Sequence, residues 1–157
     1  MATSVTIHFW RGSGFIGTAI RLFSWGPVSH VAMQIGNHLY EAREFRGVVK
    51  SRYPVSKRMP DESFKVELPH AASVELVRQW WEERIGANYD YLSVIRFVYR
   101  RSETQRTRGK WFCSEAVVDA LSAGGVQLYD RLDSSKITPA MVYWSPLLID
   151  RTGIGPI

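Results

Sequence analysis

Cys113 is the only cysteine in this 157-residue chain. A lone cysteine forms no internal disulfide, so the fold must hold through its core, which suits a reducing compartment. Most such cysteines are small buried hydrophobes. The surroundings of Cys113 argue for more. The run from Cys113 to Leu121, closed by Gly124-Gly125, predicts an amphipathic helix that starts at the thiol. At a helix start the first N–H groups lack helical acceptors and the positive end of the dipole is nearest. Both favour thiolate over thiol, and the same N–H groups can receive an oxyanion. Trp111 and Phe112, just before the thiol, predict a partly apolar cleft.

A nucleophile of this kind needs a base. The histidines are His8, His30, His38 and His70. Each fits a structural role when taken alone. His8 alternates with apolar residues and reads as a face residue of the first strand. His38 falls in a turn, and His70 follows Pro69 beside a helix start. His30 opens an apolar strand directly after Gly26-Pro27, at the rim of a sheet. Glu41 lies eleven positions on, across a turn at Gly36-Asn37, and hairpin pairing predicts the two opposite each other. Glu41 could then accept from one ring nitrogen and leave the other to face the thiol. Its alternative is an exposed carboxylate on the polar face. Glu44, three positions further along the strand, points the other way.

The elements that must position these groups are mixed in type. Ser4 to Phe9 alternates and is β-branched, so it predicts a strand. Ser13 could cap a helix over Phe15 to Phe23, which Trp25-Gly26-Pro27 ends. Ser29 to Ile35 and Leu39 to Phe45 make a hairpin. Gly47 to Asp61 is polar and broken by Pro54 and Pro60, and predicts mostly loop. Ser63 to Leu68 predicts a strand. Pro69 to Ile85, with Val74, Val77, Trp80 and Trp81 as a stripe, predicts a helix ending at Gly86. Tyr91 to Tyr99 predicts a further helix. Thr138-Pro139 gives a cap residue followed by a first-turn proline, the signature of a short helix. No regular βαβ alternation exists. The expected fold is therefore α+β, an antiparallel sheet with packed helices, in one domain over 1–157.

Three stretches together carry a resemblance: Ser29-His30-Val31-Ala32-Met33-Gln34-Ile35-Gly36, Tyr40-Glu41-Ala42, and Trp111-Phe112-Cys113-Ser114-Glu115. They resemble the circularly permuted branch of the NlpC/P60 papain-like superfamily, its YiiX/YaeF-like group most closely and the lecithin retinol acyltransferase proteins more distantly. In this branch the histidine strand precedes the cysteine helix, as here. The likeness extends loosely to Gly14–Phe23 and Ile137-Thr138-Pro139-Ala140. It implies a permuted papain-like fold and a triad of Cys113 as nucleophile, His30 as base and Glu41 as third residue. It implies acyl-enzyme chemistry on an amide or ester, with peptidoglycan peptide stems as the leading substrate. Lipid esters or acyl transfer on the same fold are the alternative. A tyrosine near the nucleophile often lines such sites, and Tyr89 or Tyr91 could fill that place.

Composition narrows the partners. The net charge is +5, from 20 basic against 15 acidic residues, which favours anionic partners such as a glycopolymer, lipid headgroups or nucleic acid. Much of the excess lies between Arg96 and Lys110, which suits either a solvated loop or a binding segment. A non-catalytic basic module, or a part of a larger assembly, is the third alternative. No apolar run is long enough to span a bilayer, and Met1 to Val5 does not open a secretory leader. The expectation is a protein cytoplasmic as synthesised, phage-encoded or otherwise delivered, that acts at a cell wall after delivery or as a virion component. One cysteine and dispersed histidines disfavour zinc, no phosphate loop is present, and no cofactor is expected.

Overall fold

The computed structural model describes residues 3–12, 18, 21, 25–43, 46–54, 59–89, 110–148 and 150–151. Its elements run β1 (Ser4–Trp10), β2 (His30–Ile35), β3 (His38–Arg43), β4 (Gly47–Arg52), β5 (Glu62–Glu67), α1 (Ala71–Glu82), β6 (Asn88–Tyr89), β7 (Lys110–Trp111), α2 (Cys113–Ala123), α3 (Pro139–Tyr143) and β8 (Asp150–Arg151). The fold is α+β. One antiparallel sheet has the order β4-β3-β2-β1-β5-β8, and β6 pairs with β7 in a separate parallel ladder. The expected helices over Phe15–Phe23 and Tyr91–Tyr99, the Ser13 cap, Glu44 and most of the basic segment lie outside the described residues.

Alternation along the strands gives the sheet two unlike faces. Ile7, Phe9, Val31, Met33, Ile35, Tyr40 and Ala42 belong to one core with Val77 and Trp81 of α1 and Ala116, Val117 and Leu121 of α2. Burying each large side chain there contributes about 1.5–3 kcal/mol. Trp81 Nε1 donates to Met33 Sδ at 3.4 Å, which pins α1 onto β2. The residues alternating with these on β1, β2 and β3 include His8, Trp10, His30, Ala32, Leu39 and Glu41. Trp10, Ala32 and Leu39 form a second, smaller apolar cluster with Tyr53.

The hairpin of β2 and β3 turns on two residues, with Gly36 at φ +59°, a conformation that favours glycine. His38 is not in this turn but opens β3.

Gly47 to Asp61, expected to be mostly loop, opens with a strand: Gly47–Arg52 is β4, paired with β3 from Arg43↔Gly47 to His38↔Arg52. Pro54 and Pro60, which carry the loop expectation, both lie beyond it. Lys50 and Arg52 are charges of an edge strand, which discourage pairing with other chains. Gly47 is also required by close approach, since a Cβ there would lie 2.0 Å from the Ala87 carbonyl oxygen. Lys50 Nζ and Tyr40 Oη both donate to Glu82 Oε1, at 2.6 and 2.7 Å, and tie α1 to this edge.

Candidate active site

The sheet edge where β1 ends and β2 and β5 begin carries His30. Its backbone place is fixed by register, Trp10↔His30, and by Ser29 N–H donating to the Trp10 carbonyl at 2.9 Å. The Trp10 indole lies 5.5 Å from the imidazole, centre to centre. The β2–β3 register, Met33↔Tyr40, continues to place Glu41 level with Ala32. Glu41 is therefore not directly opposite His30, as the eleven-residue spacing predicts. It is the diagonal neighbour two residues along on the same face, still within reach of a long side chain.

Glu41 Oε2 accepts a hydrogen bond from His30 Nε2 at 2.8 Å. The Glu41 carboxylate is almost fully buried, so it is not the exposed surface carboxylate of the alternative expectation. Its second oxygen, Oε1, lies 3.9 Å from Arg43 Nε. Arg43 is two positions beyond Glu41 in β3, and strand alternation alone puts it on the same face.

Cys113 is the first residue of α2 and is buried. Helix α2 packs against β2 and β3 on the face that carries Val31, Met33 and Tyr40. The Cys113 side chain lies near enough to His30 to act on its titration. With Nε2 bonded to Glu41, Nδ1 is the ring nitrogen left for the thiol. Burial alone would lower the His30 pKa. The interactions with Cys113 and Glu41 outweigh it and raise the value to about 9.

Local sequence sets the helix start. The Glu115 carboxylate reaches back to the Phe112 N–H at 3.5 Å, across the first turn. The Ser114 hydroxyl donates to the Ile137 carbonyl and fixes the turn beside the thiol to the segment that leads into α3. Thr138 caps α3 by accepting from the Met141 N–H at 3.2 Å. The backbone of Tyr89 pairs with Trp111, two residues before the nucleophile. Tyr91 lies outside the described residues.

The remaining histidines go elsewhere. His70 is the N-cap of α1 but makes no side-chain cap bond. His8 is buried, with Nδ1 2.6 Å from Ser63 Oγ and Nε2 2.8 Å from Gln34 Oε1. Among the described residues no group of three or more His, Cys, Asp or Glu side chains could hold a metal ion. Among them, too, no helix is long and apolar enough to cross a membrane.

No protein-family model matches the sequence, and no curated protein matches it.

Proposed function

We propose that this chain is a cysteine hydrolase with a permuted papain-like, NlpC/P60-type fold, acting on amides or esters through an acyl-enzyme. The observation that carries the proposal is that His30 and Glu41, bonded across one hairpin, have Cys113 beside them from a helix more than seventy residues on. Cys113 Sγ attacks the carbonyl carbon as thiolate, and the carbonyl π-bond becomes an oxyanion. The N–H groups in the first turn of α2 receive that charge. His30 Nδ1–H gives its proton to the leaving amine or alkoxide as the C–N or C–O bond breaks. The neutral imidazole then takes a proton from water, whose oxygen attacks the thioester. The thiolate leaves, and the acid product departs. Glu41 holds the ring orientation and stabilises the imidazolium of the resting state.

Peptide amides of peptidoglycan stems are the first substrate, in keeping with the family resemblance and a charge of +5. A lipid ester is the second. It is favoured by the exposure of Trp25, Met59 and Trp144. Purified cell wall and acyl phospholipid, each incubated with wild type and Cys113→Ala, separate the two. New amine termini released only by wild type identify an amidase, and released fatty acid a lipid hydrolase. A Cys113 thiol that iodoacetamide alkylates no faster than a free cysteine, in wild type and His30→Ala alike, defeats the enzyme proposal. It would leave the basic binding module standing.

A further inference from the structure

Four rings line one face of the sheet and end on His30. Tyr53 stacks on His8, 4.7 Å between ring centres and 17° between planes. His8 meets Trp10 at 6.0 Å, and Trp10 meets His30 at 5.5 Å with the planes tilted by 49°. Strand geometry makes the row. His8 and Trp10 alternate along β1 and so share a face, and Trp10 is the register partner of His30 on β2. All three separations lie in the range where rings attract beyond the area they bury.

The backbone around Trp10 is fastened on both sides. Its own carbonyl accepts from the Ser29 N–H at 2.9 Å. The Phe9 carbonyl accepts from the Asp61 N–H at 2.9 Å, and the Arg11 N–H donates to Asp61 Oδ2 at 2.8 Å. On its far side the indole meets His8, which Ser63 and Gln34 hold by both ring nitrogens. Trp10 is only 8% exposed, so its ring has little room to move. The bond to Glu41 Oε2 fixes one atom of the His30 ring, and a plane needs a second contact to be set. The indole supplies that contact.

We infer that Trp10 is a positioning residue for the reaction. Its indole, braced by His8 and Tyr53, sets the plane of the His30 ring so that Nε2 meets Glu41 while Nδ1 is left for Cys113. It also keeps water off the bond between His30 and Glu41, whose side chains are 18% and 2% exposed. A hydrogen bond sheltered from water is stronger, and a base held in one orientation loses less in reaching the transition state. The setting of the ring rests on the row of rings, and its value to catalysis rests on the proposed function.

The test compares wild type, Trp10→Phe and Trp10→Leu in two measurements on the full chain. The first is the rate at which the His30 Nε2–H proton exchanges with water, read by NMR and assigned by its loss in His30→Ala. The second is iodoacetamide alkylation of Cys113 near neutral pH. The expected order is wild type, then Phe, then Leu, with exchange rising and alkylation falling along it. Trp10→Leu is expected to alkylate about tenfold slower than wild type, short of the loss in His30→Ala. Val66→Ala removes buried methyls from the opposite face of the sheet, controls for lost stability, and is expected to change neither measurement. Should Trp10→Leu fail to fold, Trp10→Phe against wild type decides. Exchange and alkylation at wild-type rates in the Trp10 variants overturn the inference, and so does an equal change in Val66→Ala. Failure of the hydrolase reading looks different. Cys113 of wild type then alkylates no faster than a free cysteine, while the His30 Nε2–H proton still responds to Trp10.

Discussion

Two chains of three polar groups cross neighbouring strands of this sheet. Cys113, His30 and Glu41 form one, and Ser63, His8 and Gln34 the other. Each has an XH group, an imidazole and a carbonyl-type oxygen, and the Trp10 ring lies between the two imidazoles, 6.0 Å from His8 and 5.5 Å from His30. Their protonation is opposite. His30 is raised to about 9, whereas burial lowers His8, with the Gln34 hydrogen bond opposing. Gln34 Nε2 donates to the Gly36 carbonyl, so its Oε1 accepts from His8 Nε2–H. Nδ1 of a neutral His8 then accepts from the Ser63 hydroxyl. Burial disfavours the imidazolium in both chains. Only the one with charged partners overcomes it. The partners, Cys113 first and the Glu41 carboxylate second for His30 against an amide and a hydroxyl for His8, set the two buried histidines apart.

The largest expected effect separates the two histidines outright. His30→Ala is expected to slow alkylation of Cys113 near neutral pH by roughly 100-fold, the scale of a lost acid–base partner. His8→Ala is expected to leave that rate within about threefold. Its cost falls on stability instead, about 2–4 kcal/mol in denaturant titration, because it empties a buried ring site and strands Ser63 and Gln34. Equal slowing by both changes would erase the distinction.

The same contrast sets opposite slopes of stability with pH. The His30 contribution is complete below its unfolded pKa of 6.5 and is lost as pH rises through about 9, at most on the order of 3 kcal/mol. The depressed His8 contributes above 6.5 and loses that contribution as pH falls. Urea unfolding across pH 5 to 10 is expected to lose the alkaline decline in His30→Ala and the acid decline in His8→Asn. If both declines survive both changes, other groups govern them.

The sequence made His30, Glu41 and Cys113 legible because their signals are local: a histidine opening an apolar strand, a short turn before a carboxylate, a thiol opening a helix. Those signals need no knowledge of which strands pair. The role of His8 was hidden for the opposite reason. Ser63 is 55 residues away and Gln34 is 26, and only the β1–β2 and β1–β5 registers bring them together. Strand β4 was hidden because Pro54 and Pro60 made one loop of a segment whose first six residues, polar as an edge strand is, end before either proline. The diagonal offset of Glu41 follows from the two-residue turn at Gly36-Asn37, which pairs Ile35 with His38, and the spacing of eleven read alone does not carry it.

Exchanging the end groups should exchange the behaviour. Glu41→Gln gives His30 the amide partner of His8 and is expected to lower its titration by roughly one unit or more, read from the imidazole carbon-bound proton signals in NMR. Gln34→Glu gives His8 a carboxylate and is expected to raise its titration. Movement in only one direction would mean that burial or the thiol, and not the end group, sets the difference.

The smallest effect tests how far the charged chain extends. Arg43 is one-third exposed, and its Nε is 3.9 Å from Glu41 Oε1, too far for a direct hydrogen bond. A screened pair of this kind contributes below about 1 kcal/mol. Arg43→Gln is therefore expected to move the His30 titration down by roughly a few tenths of a unit, well short of Glu41→Gln. High salt should shrink the difference between wild type and Arg43→Gln, because the guanidinium is open to solvent and the carboxylate is not. A shift as large as that of Glu41→Gln would make Arg43 a full member of the chain, with the buried carboxylate depending on two cations and not on His30 alone.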